Sequence, residues 1–276
     1  MSAPVYTDPF AAAKWDLVPG GTAVLVIDPQ NDFLHEEGWY AQKGIDIGHM
    51  RRIVEPTKEL VAAARRKHVP VIWTRHGYAD AAEAGPLMCA GITTFNALRH
   101  SGALPSDLVA VQGIGGLGHL GIQFARNFGY RVAAVGRGPD NAALAKKLGA
   151  HVYIDSAATN AAAELQKLGG ARVILATAPS SKAMSSLVDG LGMNGRMMVV
   201  GATPEPIEVS PAQLIFGKRS LQGWPSGIPT DSEDTLRFAE MTGVRPMIEK
   251  YPLAKAAEGY ARMMSGRAEF RVVLTM

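Results

Sequence analysis

The chain contains a single cysteine, Cys89, so an intrachain disulfide is excluded and the composition fits a reducing cytoplasm. No apolar run reaches the roughly 18 residues of a membrane span, and the first residues lack the basic-then-apolar order of a secretion signal. Charge of one sign is also missing. The 28 Lys and Arg stand against 25 Asp and Glu, and a net charge of +3 argues for neither nucleic acid nor a membrane surface as a partner. Repeats, low-complexity segments and long linkers are absent. What remains is length and apolar content: 276 residues, 47% hydrophobic and rich in glycine and alanine, enough for one large or two small α/β domains with a real core.

The chain is organised around Val109-Ala110-Val111-Gln112-Gly113-Ile114-Gly115-Gly116-Leu117-Gly118-His119-Leu120-Gly121. An apolar run at 108–111 enters a glycine turn, and a helical pattern at 117–128 leaves it. Gly113, Gly115 and Gly118 hold the G-x-G-x-x-G positions, with Gly116 and Leu117 between them. Without Cβ atoms there, a backbone turns tightly and approaches a pyrophosphate, while the following helix aims its N-terminal N–H groups and dipole at the phosphates. Glycines also build ordinary strand-to-helix turns. A second apolar strand at 131–135, about twenty residues on, makes a nicotinamide dinucleotide the favoured ligand. Where NAD sites end that strand with a carboxylate for the ribose, this chain has Gly136-Arg137-Gly138. A small residue followed by Arg suits NADP(H) over NAD(H), because a guanidinium clasps a 2′-phosphate in a two-pronged contact. Asp140, in the next turn, stays open as a ribose ligand. Further strand candidates at 152–154, 171–176, 197–200 and 219–222 alternate with helical patterns, which predicts a doubly wound parallel sheet of Rossmann type.

Ahead of this lies a second α/β signal. A continuous apolar run at 22–27 reads as a buried parallel strand and ends in Asp28-Pro29-Gln30-Asn31-Asp32-Phe33. A helix at 56–67, with Leu60, Ala63 and Ala64 on one face, leads to a strand at 69–73, giving a β-α-β fragment of flavodoxin-like type. Residues 23–76 resemble the isochorismatase-like cysteine hydrolases. The continuation His35-Glu36-Glu37-Gly38-Trp39-Tyr40 and Ile72-Trp73-Thr74-Arg75-His76 resembles their ureidoacrylate and biuret amidohydrolase branch. The resemblance implies Asp28 as the general base of an Asp–Lys–Cys triad. It ends near Gly77, and the family's lysine and cysteine find no matching context. Without a thiol no acyl-enzyme forms, so Asp28 is expected to be silent.

From residue 80 to 276 the chain resembles a different family, the medium-chain, zinc-type alcohol dehydrogenases. The likeness rests on Pro86-Leu87-Met88-Cys89-Ala90-Gly91-Ile92-Thr93, the glycine stretch, Leu148-Gly149-Ala150, and the ending Tyr251-Pro252-Leu253 through Phe270-Arg271-Val272-Val273-Leu274. This resemblance implies that Cys89 stands at a catalytic-zinc ligand position and Thr93 against the nicotinamide. It further implies that Thr177, Ala178, Val200, Gly201 and Ala202 line the cofactor groove, that Arg271 contacts the pyrophosphate, and that the strand at 219–222 pairs with its twin in a homodimer. Read by itself, Cys89 is a buried small apolar thiol. A catalytic zinc takes three protein ligands plus an open position. No Gly-x-Cys-x-x-Asp or Gly-His-Glu segment occurs, and the histidines at 35, 49, 68, 76, 100, 119 and 151 show no ligand spacing with Cys89, so zinc is expected to be absent.

The expected organisation is therefore a fusion: an isochorismatase-like fragment at 1–77 and an NAD(P)-binding domain of alcohol dehydrogenase type at 80–276. The first function it implies is an oxidoreductase-derived unit for alcohol–aldehyde interconversion, with hydride transfer impaired for want of the zinc-bearing domain. The alternatives are a small-amide hydrolase built on Asp28 and a non-catalytic nucleotide-binding module. Two strands that are apolar throughout cannot close a core alone. The N-terminal fragment is accordingly expected to dock on the rest, with 77–85 the most mobile junction.

Overall fold

A computed structural model describes residues 24–27, 36, 44, 46–67, 69, 71–74 and 81–275. The chain divides into two compact units, Met1–Gly77 and Tyr78–Met276. In the first, β1 (Val24–Ile27) pairs in parallel with β2 (Val71–Thr74), Val24 opposite Val71. Between them lie α1 (Gly48–Arg51) and α2 (Val54–Arg66). The buried positions of α2 are Val61 and Ala64, whereas Leu60 is 55% exposed, which corrects the apolar face read from the sequence. One residue of rotation, about 100° on a helix, separates the two readings. Asp28 and most of the motif that follows it lie outside the described residues, as does the start of the 77–85 junction.

The second unit begins with α3 (Ala81–Pro86), a π-helical turn (Leu87–Gly91) and α4 (Ile92–Arg99). The alternation then runs β3 (Leu108–Gln112), α5 (Gly118–Asn127), β4 (Arg131–Gly136), α6 (Asn141–Lys147), β5 (Val152–Asp155), α7 (Ala161–Lys167) and β6 (Ala171–Ala176). It continues with α8 (Ser181–Leu187), β7 (Leu191–Val199), α9 (Pro211–Ile215), β8 (Ser220–Gly223) and α10 (Pro229–Thr242). Six strands form one parallel sheet in the order β5-β4-β3-β6-β7-β8. Because β3, β4 and β6 are covered on both faces, they read as near-continuous apolar runs rather than alternating ones.

Each sheet face has its own core. On one, α4, α5 and α10 contribute Phe95, Phe124 and Phe238, with the Phe95 ring 5.5 Å from Phe124 edge-on and 5.3 Å from Phe238. On the other, Leu165, Met184 and Leu187 from α7 and α8 pack beneath Ile174 and Met197. A third element, β9 (Ile248–Pro252), α11 (Ala256–Met264) and β10 (Arg271–Thr275), makes a separate parallel pair with Arg271 opposite Ile248. The chain runs outward from β3 through β4 to β5, then returns to β6 and proceeds outward the other way. The gap between β3 and β6 is thus the topological switch point, where open α/β sheets bind ligands beyond their strand ends.

Candidate functional site

The glycine turn closes between β3 and α5 at this switch point. Gly113 has φ +92°, a left-handed conformation that favours glycine, and a Cβ on it would lie 3.0 Å from Ala178 Cβ. At Gly118 the constraint is absolute: a Cβ would lie 1.8 Å from the Gly113 carbonyl oxygen. Gly115 differs, since a Cβ there would meet no atom within 4 Å and would project into open space. Gln112, buried at the end of β3, staples the turn to β6. Its carbonyl accepts from Thr177 Oγ1 at 2.7 Å and its Oε1 accepts from Ala178 N at 3.2 Å. The Val200 and Gly201 amides both donate to Ala176 O, and a Cβ on Gly201 would sit 2.8 Å from Ala178 O. The turn, Thr177, Ala178, Val200 and Gly201 therefore converge at the ends of β3, β6 and β7, with exposed Ala202 beyond them.

Arg271 reaches the same turn from β10. Its Cζ and Nε lie 2.7 Å from where a Gly116 Cβ would be, so the guanidinium rests on a backbone that only glycine leaves bare. Arg271 Nε is buried without a hydrogen-bond partner. A cationic group against a helix N-terminus, with donor capacity unspent, is the chemistry of an anion site. His119, in the first turn of α5, is fully buried, with Nδ1 2.9 Å from Gly115 O and Nε2 accepting from Met247 N at 3.1 Å. Burial pushes its pKa down to about 4; the Gly115 bond works against the shift and Arg271 adds to it, so the ring is neutral at pH 7.

The end of β4 is held by the neighbouring strand. Asp155 Oδ1 accepts from Gly138 N at 2.8 Å and Ala157 N at 2.9 Å, Ser156 Oγ donates to Gly136 O at 2.7 Å, and Tyr153 OH donates to Gly138 O. A Cβ on Gly136 would press on Tyr153 OH at 2.8 Å. The turn is thereby fixed while Arg137 and Asp140 stay exposed.

Cys89 is exposed, not buried. It lies in a π-helical turn whose buried residues are Leu87, Ala90 and Gly91. Thr93, on α4, is buried. Among the described residues no three His, Cys, Asp or Glu side chains gather as a metal-ligand set, so these residues alone do not fit a catalytic zinc. Asp28 cannot be placed, lying outside the described residues. Gln112, His119, Tyr153 and Asp155 were not singled out as site residues by sequence. A polar side chain ending an apolar strand was the available signal for Gln112; His119 acts through Met247, 128 residues on, and Asp155 through Gly138 on the neighbouring strand's turn.

Residues 116–241 match the zinc-binding dehydrogenase family model and residues 22–101 match the isochorismatase domain model. The second match runs past Gly77, where the motif likeness ends. Alcohol dehydrogenase patD of Penicillium expansum is 46% identical over 199 residues, covering 72% of this chain and 58% of the relative. An alcohol dehydrogenase of Geobacillus stearothermophilus is 35% identical over 193 residues, covering 70% and 57%. Among solved structures, a cinnamyl alcohol dehydrogenase from Sorghum bicolor superposes with TM-score 0.64 at 28% identity, covering 71% of this chain and 55% of that one. The alcohol dehydrogenase of Aeropyrum pernix does so with TM-score 0.64 at 25% identity, covering 70% and 58%. The chain thus spans less than two thirds of the length of these relatives.

Proposed function

Since this chain joins a segment of isochorismatase type to one of zinc-type alcohol dehydrogenase kind, we propose that it works through the second, as a nicotinamide dinucleotide-binding unit. The observation that carries this reading is the pairing of a turn in which Gly118 tolerates no side chain with an Arg271 guanidinium lying on Gly116, its Nε unpartnered. In this reading the N–H groups at the start of α5 and Arg271 hold the pyrophosphate. Gly113, Gly115, Gly116, Leu117 and Gly118 form its cradle. Thr177, Ala178, Val200, Gly201 and Ala202 line the groove toward the nicotinamide, and Thr93 stands at its far end.

NADP(H) is bound ahead of NAD(H). Arg137 is exposed at the end of a turn whose backbone Asp155 and Ser156 hold and against which Tyr153 packs because Gly136 has no side chain. Asp155 Oδ1, by accepting the Gly138 and Ala157 amides, fixes the backbone on which Arg137 is presented. Bound nicotinamide supplies hydride acceptance from an alcohol, or donation to an aldehyde. The described residues contribute Cys89 alone toward the zinc position, and alcohol oxidation by this chain is impaired. Self-association runs through the sheet edge at β8.

Thermal unfolding with and without NADPH tests the binding reading. A ligand held by the folded state alone raises the midpoint with concentration, and at about 100 times Kd it stabilises by roughly 2.7 kcal/mol. An unchanged midpoint at millimolar NADPH and NADH would overturn the proposal.

A further inference from the structure

His119 is fully buried, and both of its ring nitrogens are hydrogen-bonded to backbone. Since Met247 N–H donates to Nε2, that nitrogen carries no proton. The proton is therefore on Nδ1 and is donated to Gly115 O. The two bonds join the glycine turn to a segment 128 residues further along the chain. Met247 O in turn accepts from Phe270 N at 3.0 Å and Arg271 N at 3.2 Å, and the Phe270 ring packs 5.0 Å from the imidazole. The circuit closes where the Arg271 guanidinium lies on Gly116, one residue from Gly115.

We infer that His119 is a positioning residue of the dinucleotide site, a neutral strut that holds the strand bearing Arg271 in register with the glycine turn. The inference rests on the dinucleotide reading above. A side chain without these two hydrogen-bonding positions leaves this segment tied to α5 only a turn further along the helix, where Gln123 Nε2 donates to Arg245 O at 2.9 Å and Gln123 Oε1 accepts from Arg245 N at 3.1 Å, and Arg271 loses its fixed place over the pyrophosphate. Burial and Arg271, the charged group acting on the ring, both favour the neutral form that the strut requires. In the same reading the adenosine lies toward the end of β4, beside Arg137, where the hydrogen bonds come from Asp155, Ser156 and Tyr153 and do not pass through the strut.

The test compares the full native chain with His119→Phe and His119→Gln, titrating NADPH, NADH and adenosine, which lacks a pyrophosphate. His119→Phe should weaken both dinucleotides by about tenfold, the scale of one charge-assisted contact, and leave adenosine unchanged. His119→Gln, which can still hydrogen-bond, should recover part of the loss. Equal weakening of all three ligands, or none, overturns the inference. Nitrogen-15 spectra of the native chain keep it falsifiable should His119→Phe fail to fold. A neutral ring protonated on Nδ1 at pH 6 is expected, and a cationic ring or one protonated on Nε2 refutes the strut. If the native chain binds neither dinucleotide, the functional reading falls and takes the strut with it. If it binds both and His119→Phe binds equally well, only the strut falls.

Discussion

Replacing Gly115 with alanine separates a glycine kept for folding from one kept for a ligand. Its φ is not left-handed, and an added Cβ meets nothing within 4 Å, so the unliganded fold has no reason to object. Alanine at a compatible backbone position leaves stability unchanged or raises it by about 0.4–1 kcal/mol, by restricting the unfolded chain. The bound state differs. If the phosphates lie against the turn, the new methyl occupies their space, and overpacking of one methyl costs roughly 1–3 kcal/mol, which is about 5- to 150-fold in Kd. Gly118→Ala gives the contrast, because its Cβ collides with a backbone oxygen at 1.8 Å and must damage the turn itself. Thermal unfolding and NADPH titration of both variants decide the matter. Gly115→Ala should melt like the native chain and bind poorly, whereas Gly118→Ala should lose both. A Gly115→Ala variant that binds NADPH as well as the native chain would refute the placing of the pyrophosphate on this turn.

Glu249 accepts from Arg262 Nε and Nη2, each at 2.8 Å, and from Glu269 N at 2.9 Å. The Arg262 bonds, then the Glu269 amide, hold its pKa down from 4.5 to about 2. A depressed carboxylate stabilises above its ordinary pKa and loses that contribution as pH falls through the lowered one. Glu249→Gln should therefore lower the melting temperature at pH 7, with the difference shrinking between pH 4.5 and 2; a difference that does not change with pH would contradict the ion pair. β8 is the last strand of the sheet, and just ahead of it in the chain, at the end of α9, Ile215 and Phe216 are 68% and 82% exposed; an open edge invites a second chain. Sedimentation should find a dimer that Phe216→Asp weakens, and a monomer at every concentration removes the interface. After dialysis, metal analysis should find no stoichiometric zinc, whereas one tightly held zinc per chain would mean that further ligands join Cys89.

Much of the sheet was legible because buried parallel strands announce themselves as apolar runs. The β3, glycine-turn, α5 succession could be read from spacing alone. β7 was read as starting at 197, but pairing begins at Leu191. Its first half carries Gly192, Gly195 and Asn194 with φ +56°, and the register shifts against β6, so no apolar run marks it. β9, with Glu249 and Lys250 and partial exposure, lacks the pattern for the same reason. Cys89 reads as buried from its residue type, since free cysteine is among the residues most often buried, and the exposure of this one carries no local sequence mark. Pairings such as His119 with Met247 or Arg271 with Gly116 depend on tertiary closure across most of the unit, which local sequence does not encode.

Calorimetric titration of the full chain with NADPH and NADH, repeated on Arg137→Ala, tests the central claim most directly. The native chain should bind both, NADPH more tightly, and Arg137→Ala should weaken NADPH by about 1–3 kcal/mol with NADH nearly unaffected. No heat of binding from either cofactor would contradict the dinucleotide site, and equal affinities untouched by the substitution would contradict the role of Arg137.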